Sequence, residues 1–106
     1  MEIYVDGKIA VMEIGRSHLG RYWLIKDESN SATWTIGDGW AIAFSTREKA
    51  EQFIARQKFE TKPVAREFLW EDLPRVMGKH FHAIVVENSK MPGSYLMLPL
   101  NIEEIK

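Results

Sequence analysis

The first half of the chain alternates apolar and polar residues in short runs, a pattern typical of β-strands. Glycine-containing turns separate two pairs of these runs. Asp6-Gly7 separates the first pair, and Asp-Gly favours a two-residue hairpin because both central residues of a type I′ turn need a positive φ. Gly37-Asp38-Gly39 separates a later pair and predicts a hairpin with a three-residue loop. The strands predicted in this half are Glu2 to Val5, Lys8 to Ile14, Arg21 to Lys26, Thr33 to Ile36 and Trp40 to Phe44.

After Phe44 the hydrophobic period changes from that of a strand to that of a helix. An amphipathic helix is predicted from about Thr46 to Gln57. Ser45 and Glu48 have the spacing of a capping box, in which each side chain accepts a bond from a backbone N–H at the start of the helix. Ser45 is therefore the predicted cap. The apolar face of this helix is formed by Ala50, Phe53 and Ile54.

A second run with helical spacing begins at Phe68, but Pro74 lies inside it. Because a proline ring clashes with the carbonyl four residues earlier in a continuous helix, we predict a broken helix. Asp72 is the predicted cap of its second piece, and Gly78 is predicted to end it. The apolar residues with this spacing are Phe68, Leu69, Leu73, Val76 and Met77. Extended segments are predicted at Phe59 to Ala65, Phe81 to Glu87 and Tyr95 to Leu98.

These elements predict a single domain over residues 1–106 of the α+β class, because the strands are not regularly alternated with helices. We expect an antiparallel or mixed sheet of about six to seven strands, with one main helix and a second, broken helix packed on one face. The predicted core residues are Leu24, Ile42, Phe44, Phe53, Ile54, Leu69, Ile84 and Val86.

The strand from Tyr95 to Leu98 is predicted to lie at an edge of the sheet, since Pro92 and Pro99 flank it. An edge strand presents unpaired backbone N–H and C=O groups. Two arrangements satisfy them: the tail from Asn101 to Lys106 covers the strand, or the strand pairs with a second copy of the chain in a homodimer.

Composition narrows the range of functions. Lys and Arg number 14 against 15 Asp and Glu, so the net charge is −1, and no overall field favours nucleic acid or an acidic membrane as a partner. The chain has no cysteine, which excludes disulfides, thiol nucleophiles and cysteine-ligated metals.

The hydrophobic and charge pattern of the sequence predicts no targeting signal. Met1 to Asp6 lacks the basic and apolar regions of a signal peptide. No apolar run approaches the roughly 20 residues of a membrane helix. We therefore expect a cytoplasmic protein without a membrane segment.

His80 and His82 are the candidates for a metal or catalytic site, because residues two apart on a strand share one face. A catalytic metal usually needs a third protein ligand, and His18, Asp72 or Glu87 would supply it only through the accident of the fold. The commoner interpretation of this spacing is a pair of surface histidines at the start of a strand. We predict no metal and no cofactor.

Four tryptophans in 106 residues suggest either a large contribution to the core or an aromatic binding surface. If the second hairpin forms, Trp34 and Trp40 come close across the strands. Packing is the interpretation favoured by the small size of the core. The candidate binding residues are Trp23, Trp34, Trp40, Trp70, His80, His82 and Tyr95.

The stretch from Trp40 to Phe53 joins a strand that ends in an aromatic residue to a Ser/Thr-capped, Arg/Glu-rich helix. This pattern resembles small bacterial domains of the SseB-like kind. Glu67-Phe68-Leu69 through Leu73-Pro74, followed by the strand Ala83 to Glu87, is similar to the second helix and strand of those domains. The resemblance covers roughly Trp40 to Asn88. It implies an accessory or interaction protein and brings no catalytic residues with it.

The sequence therefore favours a non-enzymatic interaction module with a protein partner or a second copy of itself. The alternative is a small-molecule-binding domain or minor hydrolase that uses His80, His82 and a nearby carboxylate.

Overall fold

The structure is a computed structural model that describes residues 2–5, 8–15, 17–29, 32–37, 39–58, 61–77, 81–88, 90–91 and 93–100. Within these residues eight strands form one mixed sheet, and two helices pack on it, the second of them short. In chain order the elements are β1 (Glu2–Val5), β2 (Lys8–Ile14), β3 (Arg21–Asp27), β4 (Thr35–Gly37), β5 (Trp40–Phe44), α1 (Arg47–Arg56), β6 (Pro63–Leu69), a 3₁₀ turn (Trp70–Asp72), α2 (Leu73–Met77), β7 (Ala83–Glu87) and β8 (Ser94–Pro99).

The strand order is β1-β2-β8-β7-β5-β3-β6, and β4 pairs with the first half of β5. Two neighbouring pairs, β2–β8 and β5–β7, are parallel, whereas the others are antiparallel. The α+β class and the mixed sheet are as predicted, with one or two strands more than expected.

The two helices cover opposite faces of the sheet, so the expectation that both pack on one face is wrong. Along β5, Ala41 and Ala43 belong to a core cluster with Leu73 of α2, whereas Ile42 between them belongs to a cluster with Phe53 of α1. The central strands are buried on both faces and read as continuous apolar runs. We call the two sides the α1 face and the α2 face.

The first predicted hairpin forms, with Val5 paired to Lys8; Asp6 and Gly7 lie outside the described residues. The second hairpin also forms, but Gly37 pairs with Trp40, so its loop has two residues and not three. Gly39 in that loop has a φ of 82°, a conformation that glycine adopts without steric cost.

Helix α1 begins one residue later than the capping box predicts. Thr46 has extended backbone angles, and its Oγ1 accepts a hydrogen bond from the N–H of Lys49 at 3.2 Å. The prediction that Ser45 is the cap is therefore wrong.

The segment with apparent helical spacing is a strand followed by a short helix. Phe68 and Leu69 lie in β6, and α2 begins only at Leu73, with Pro74 in its first turn as predicted. Phe68 pairs with Tyr22 of β3, so tertiary strand pairing overrides the local spacing. The carboxylate of Asp72 accepts from Arg75 at 3.2 Å.

Strand β8 is not an edge strand, which corrects the prediction for Tyr95 to Leu98. It lies between β2 and β7, and Met97 pairs with Ile14 on one side and with Val85 on the other. The homodimer based on this edge therefore loses its structural basis. Pro99 is the last residue of the strand, and Pro92 lies outside the described residues.

Most of the predicted core is buried. Phe44 and Ile54 are only half-buried, and Leu69 is 41% exposed at the end of β6, so its assignment to the core is wrong. The residues confirmed as buried are Leu24, Ile42, Phe53, Ile84 and Val86.

Candidate functional site

The predicted aromatic residues do not form a single surface. Trp23, Trp40 and Tyr95 are half-buried and lie on the α1 face, where the guanidinium of Arg47 stands 5.8 Å from the centre of the Trp23 ring. Trp70 is half-buried on the α2 face. Trp34 is 38% exposed. The tryptophans therefore contribute mainly to packing on both sides of the sheet.

The histidines take different positions. His80 lies outside the described residues, and His82 is exposed, with its backbone N–H bonded to the carbonyl of Gly39 at 3.0 Å. Within the described ranges no group of three His, Cys, Asp or Glu side chains is arranged to hold a metal ion.

His18, which the sequence offered only as a third metal ligand, stacks on Trp70. The ring centres are 4.4 Å apart and the planes differ by 12°. Its Nδ1 accepts a hydrogen bond from the N–H of Gly20 at 3.0 Å. The imidazole therefore fastens the loop before β3 onto the 3₁₀ turn.

The outer edge of β6 offers backbone groups that no other described strand pairs with. The N–H of Trp70 donates to Gly20 at 2.8 Å, and that of Glu28 donates to Lys62 at 2.9 Å. Hydrogen-bonded pairs alternate in an antiparallel ladder, so the even-numbered residues of β6 bond to β3 and the odd-numbered ones point outward. Among the described residues, the outward N–H and C=O groups of Ala65, Glu67 and Leu69 have no strand partner.

A groove runs beside this edge, between β6 and α1. Its volume is about 320 Å³. The ion pair between Arg47 and Glu51, 3.3 Å long, stands on the helix side of the groove. The groove is lined by Arg47, Glu51, Ile54, Pro63, Val64 and Ala65. An apolar surface thus lies next to a strand edge that has no partner among the described residues.

A second, smaller cleft lies on the other side of α1, at the carboxyl ends of the parallel strands β5 and β7. Its volume is about 150 Å³. Phe44 and Phe53 form part of its wall, with ring centres 5.4 Å apart. Its polar groups are Ser45, Lys49, Gln52, Arg56, Glu87 and Tyr95. Ligands of open α/β sheets bind at the carboxyl ends of parallel strands, so this position is a candidate site by its topology.

Lys26 is buried in the sheet with 7% of its surface exposed. Its Nζ donates to Thr33 Oγ1 at 2.7 Å and lies 5.9 Å from the centre of the Phe68 ring. In the described part of the chain it has no carboxylate partner, and burial lowers the pKa of its ammonium group. The same lysine helps to line a cavity of about 200 Å³ together with Trp34.

Sequence reasoning missed the groove beside β6. None of the candidate residues that the structure describes lies in it, and of those only Tyr95 lines the smaller cleft. Pro63 was the available signal, because a proline at an outward-facing position of a strand marks an edge.

No family model, curated protein or solved structure matches this chain. In the part of the chain that the structure describes, no helix is both long enough and apolar enough to cross a membrane.

Proposed function

We propose that this protein is an interaction module that binds an extended segment of a partner protein as an added strand on β6. The observation that carries the proposal is the row of outward backbone groups at Ala65, Glu67 and Leu69 beside the groove under α1. In recognition by strand addition, the main chain supplies the affinity and side-chain pockets supply the specificity. On β6 the outward backbone groups and the groove lie side by side.

The groove favours a partner with an apolar side chain at the position that faces α1. Its volume of about 320 Å³ falls at the lower end of the range of about 300–1,000 Å³ that ligand pockets occupy. Ile54 and Ala65 are half-buried there, so an added side chain removes apolar surface from water.

The charges of β6 favour a specific partner over indiscriminate edge pairing. Arg66 and Glu67 stand in the middle of the strand, and Glu67 lies 3.5 Å from Arg21 on the neighbouring strand. Natural proteins place charged residues on edge strands to suppress aggregation. A partner strand must accommodate these charges.

The test is a random peptide library displayed on phage and selected on the wild-type protein, with affinities measured by fluorescence anisotropy. Ala65→Pro removes an outward N–H without breaking a bond to β3, and proline is tolerated on edge strands. We expect selected peptides to lose about tenfold in affinity on this variant, since the lost bond is worth roughly 1 kcal/mol and the ring obstructs the edge. Amide chemical shifts should change along β6 and α1.

The matched control is Ala65→Ser, which keeps every backbone N–H and alters only the side chain that lines the groove. It should change which peptides bind and leave backbone pairing intact. Peptides that bind Ala65→Pro as well as wild type, or a library that yields no binder, would contradict the proposal. Concentration-dependent sedimentation that Ala65→Pro abolishes would identify the bound strand as that of a second copy.

The alternative function, a small-molecule-binding domain or minor hydrolase using His80, His82 and a carboxylate, stays a prediction. His82 lines none of the three cavities described above. The cytoplasmic location and the kinship with SseB-like domains likewise stay predictions from the sequence.

A further inference from the structure

The cleft at the carboxyl ends of β5 and β7 is separate from the groove used by the proposed function. On α1, Lys49, Gln52 and Arg56 are spaced by three and four residues, so they share the side of the helix that faces the cleft. Arg47 and Glu51 face the groove on the other side. The two sites therefore use different surfaces of the same helix.

Opposite charges meet this cleft from opposite sides. Lys49 and Arg56 come from the helix, whereas Glu87 comes from the end of β7. Within the described structure neither Lys49 nor Glu87 forms an ion pair. A ligand that carries both charges can therefore complement both walls at once.

The size of the cleft limits what it can hold. A volume of about 150 Å³ equals the share of about five water molecules in the liquid, at roughly 30 Å³ each. It is about half of the smallest ordinary ligand pocket. It encloses a compact molecule of about five to eight non-hydrogen atoms rather than a whole nucleotide or large cofactor.

The arrangement also distinguishes the two ends of such a molecule. The ammonium group of Lys49 suits a carboxylate, since charge-assisted hydrogen bonds are the stronger ones. The amide of Gln52 donates to Glu48 at 3.4 Å and has a second N–H for the same carboxylate. The carboxylate of Glu87 accepts bonds from an ammonium group. Phe44 and Phe53 leave an apolar wall for a small side chain.

We propose that this cleft binds a small zwitterion of the α-amino acid class, with its carboxylate toward Lys49 and its ammonium group toward Glu87. The site is independent of strand addition at β6, because the two share no lining residue.

The test titrates L-alanine into ¹⁵N-labelled wild-type protein and follows the amide signals. We expect saturable shifts at Lys49, Gln52, Glu87 and Tyr95, with a dissociation constant of about 1 mM or below. Acetate and ethylamine, which each carry one of the two charges, should bind at least about tenfold more weakly.

Charge variants locate the two ends of the ligand. Lys49→Gln and Glu87→Gln should each weaken alanine binding about tenfold, whereas the control Lys58→Gln, an exposed lysine outside the cleft, should leave it unchanged. The double exchange Lys49→Glu with Glu87→Lys should recover part of the affinity, because it restores one charge of each sign.

Three results would overturn the proposal: no saturation by about 10 mM alanine, acetate that binds as tightly as alanine, or shifts that Lys49→Gln and Lys58→Gln affect alike. None of them bears on peptide binding at β6, so the failure of one proposal is distinguishable from the failure of the other.

Discussion

Thr46 illustrates how a single residue position decides where a helix begins. The sequence offers Ser45 and Thr46 in succession, and both side chains are able to cap. The extended backbone of Thr46, with φ −137° and ψ 156°, places its Oγ1 on the N–H of Lys49. The serine before it is left half-buried at the end of β5.

Replacing Thr46 by alanine should lower the free energy of unfolding by about 0.5–2 kcal/mol, because an N–H of the first turn loses its acceptor. Urea unfolding followed by circular dichroism measures the change. Ser45→Ala is the control and should have a smaller effect. A larger loss of unfolding free energy for Ser45→Ala than for Thr46→Ala would show that Ser45 is the cap.

Because of Lys26, the free energy of unfolding should depend on pH in the alkaline range. Its pKa in the folded protein is lowered from 10.5 by burial, so between the two values the unfolded chain holds a proton that the folded protein has lost. Stability should therefore rise with pH toward 10.5, and the full cost of burying the charge should be present below the folded-state pKa. Tyr22 has the opposite effect at higher pH, because burial raises its pKa above 10.0.

Lys26→Met removes the buried charge at nearly constant length. The variant should be more stable than wild type by about 1 kcal/mol at neutral pH. This difference should narrow as the pH rises to 10.0, the ordinary pKa of tyrosine. Urea unfolding across this range checks the prediction. A difference that does not change with pH would show that folding leaves the pKa of Lys26 unshifted, with its ammonium group solvated.

At the scale of elements, Phe53 is the largest side chain of α1 that is buried against the sheet. Phe53 is 5% exposed and packs against Phe44 and Ile42 on the α1 face. Helices of about ten residues are marginal in isolation, so this contact provides much of the stability of α1. Both the groove and the cleft depend on it.

Phe53→Ala should cost about 3–5 kcal/mol. That is a large share of the roughly 5–15 kcal/mol that stabilise a domain. Thermal unfolding measures it, with Gln52→Ala on the exposed side of the same turn as the control. A shift of only a degree or two in melting temperature for Phe53→Ala would mean that α1 is anchored elsewhere.

β6 shows where local pattern fails. Phe68 and Leu69 continue a helical spacing that extends to Met77, yet both belong to a strand. Seven consecutive pairs with β3 fix this segment, and those contacts are long-range in sequence. Spacing alone contains no information about such a partner.

For the molecule as a whole, the inner position of β8 has a measurable consequence. Met97 is half-buried and packs against the core cluster of the α1 face, and its strand lies between β2 and β7. Met97→Lys should therefore lower the free energy of unfolding by about 2 kcal/mol, since it places a charge among apolar neighbours.

Met91→Lys is the control for the same substitution, because Met91 is 56% exposed. Its effect should stay within about 0.5 kcal/mol. Chemical denaturation compares the two variants. If Met97→Lys is as stable as Met91→Lys, β8 is exposed at an edge after all.

The sequence by itself determined those structural features that depend only on residues close together in the chain. Turn chemistry, hydrophobic period and proline geometry account for the pairing of β1 with β2, the course of α1, the position of Pro74 in α2 and the apolar centre of β7. The tertiary structure decided which strands became neighbours and which face each helix covered. β8 became an inner strand because β2, from the other end of the chain, pairs with it in parallel, and β6 became an edge because its outer side has no strand partner among the described residues. Such pairings depend on the burial of both faces of the assembled sheet at once. A short stretch of sequence contains no information about this burial, because the residues involved are far apart in the chain.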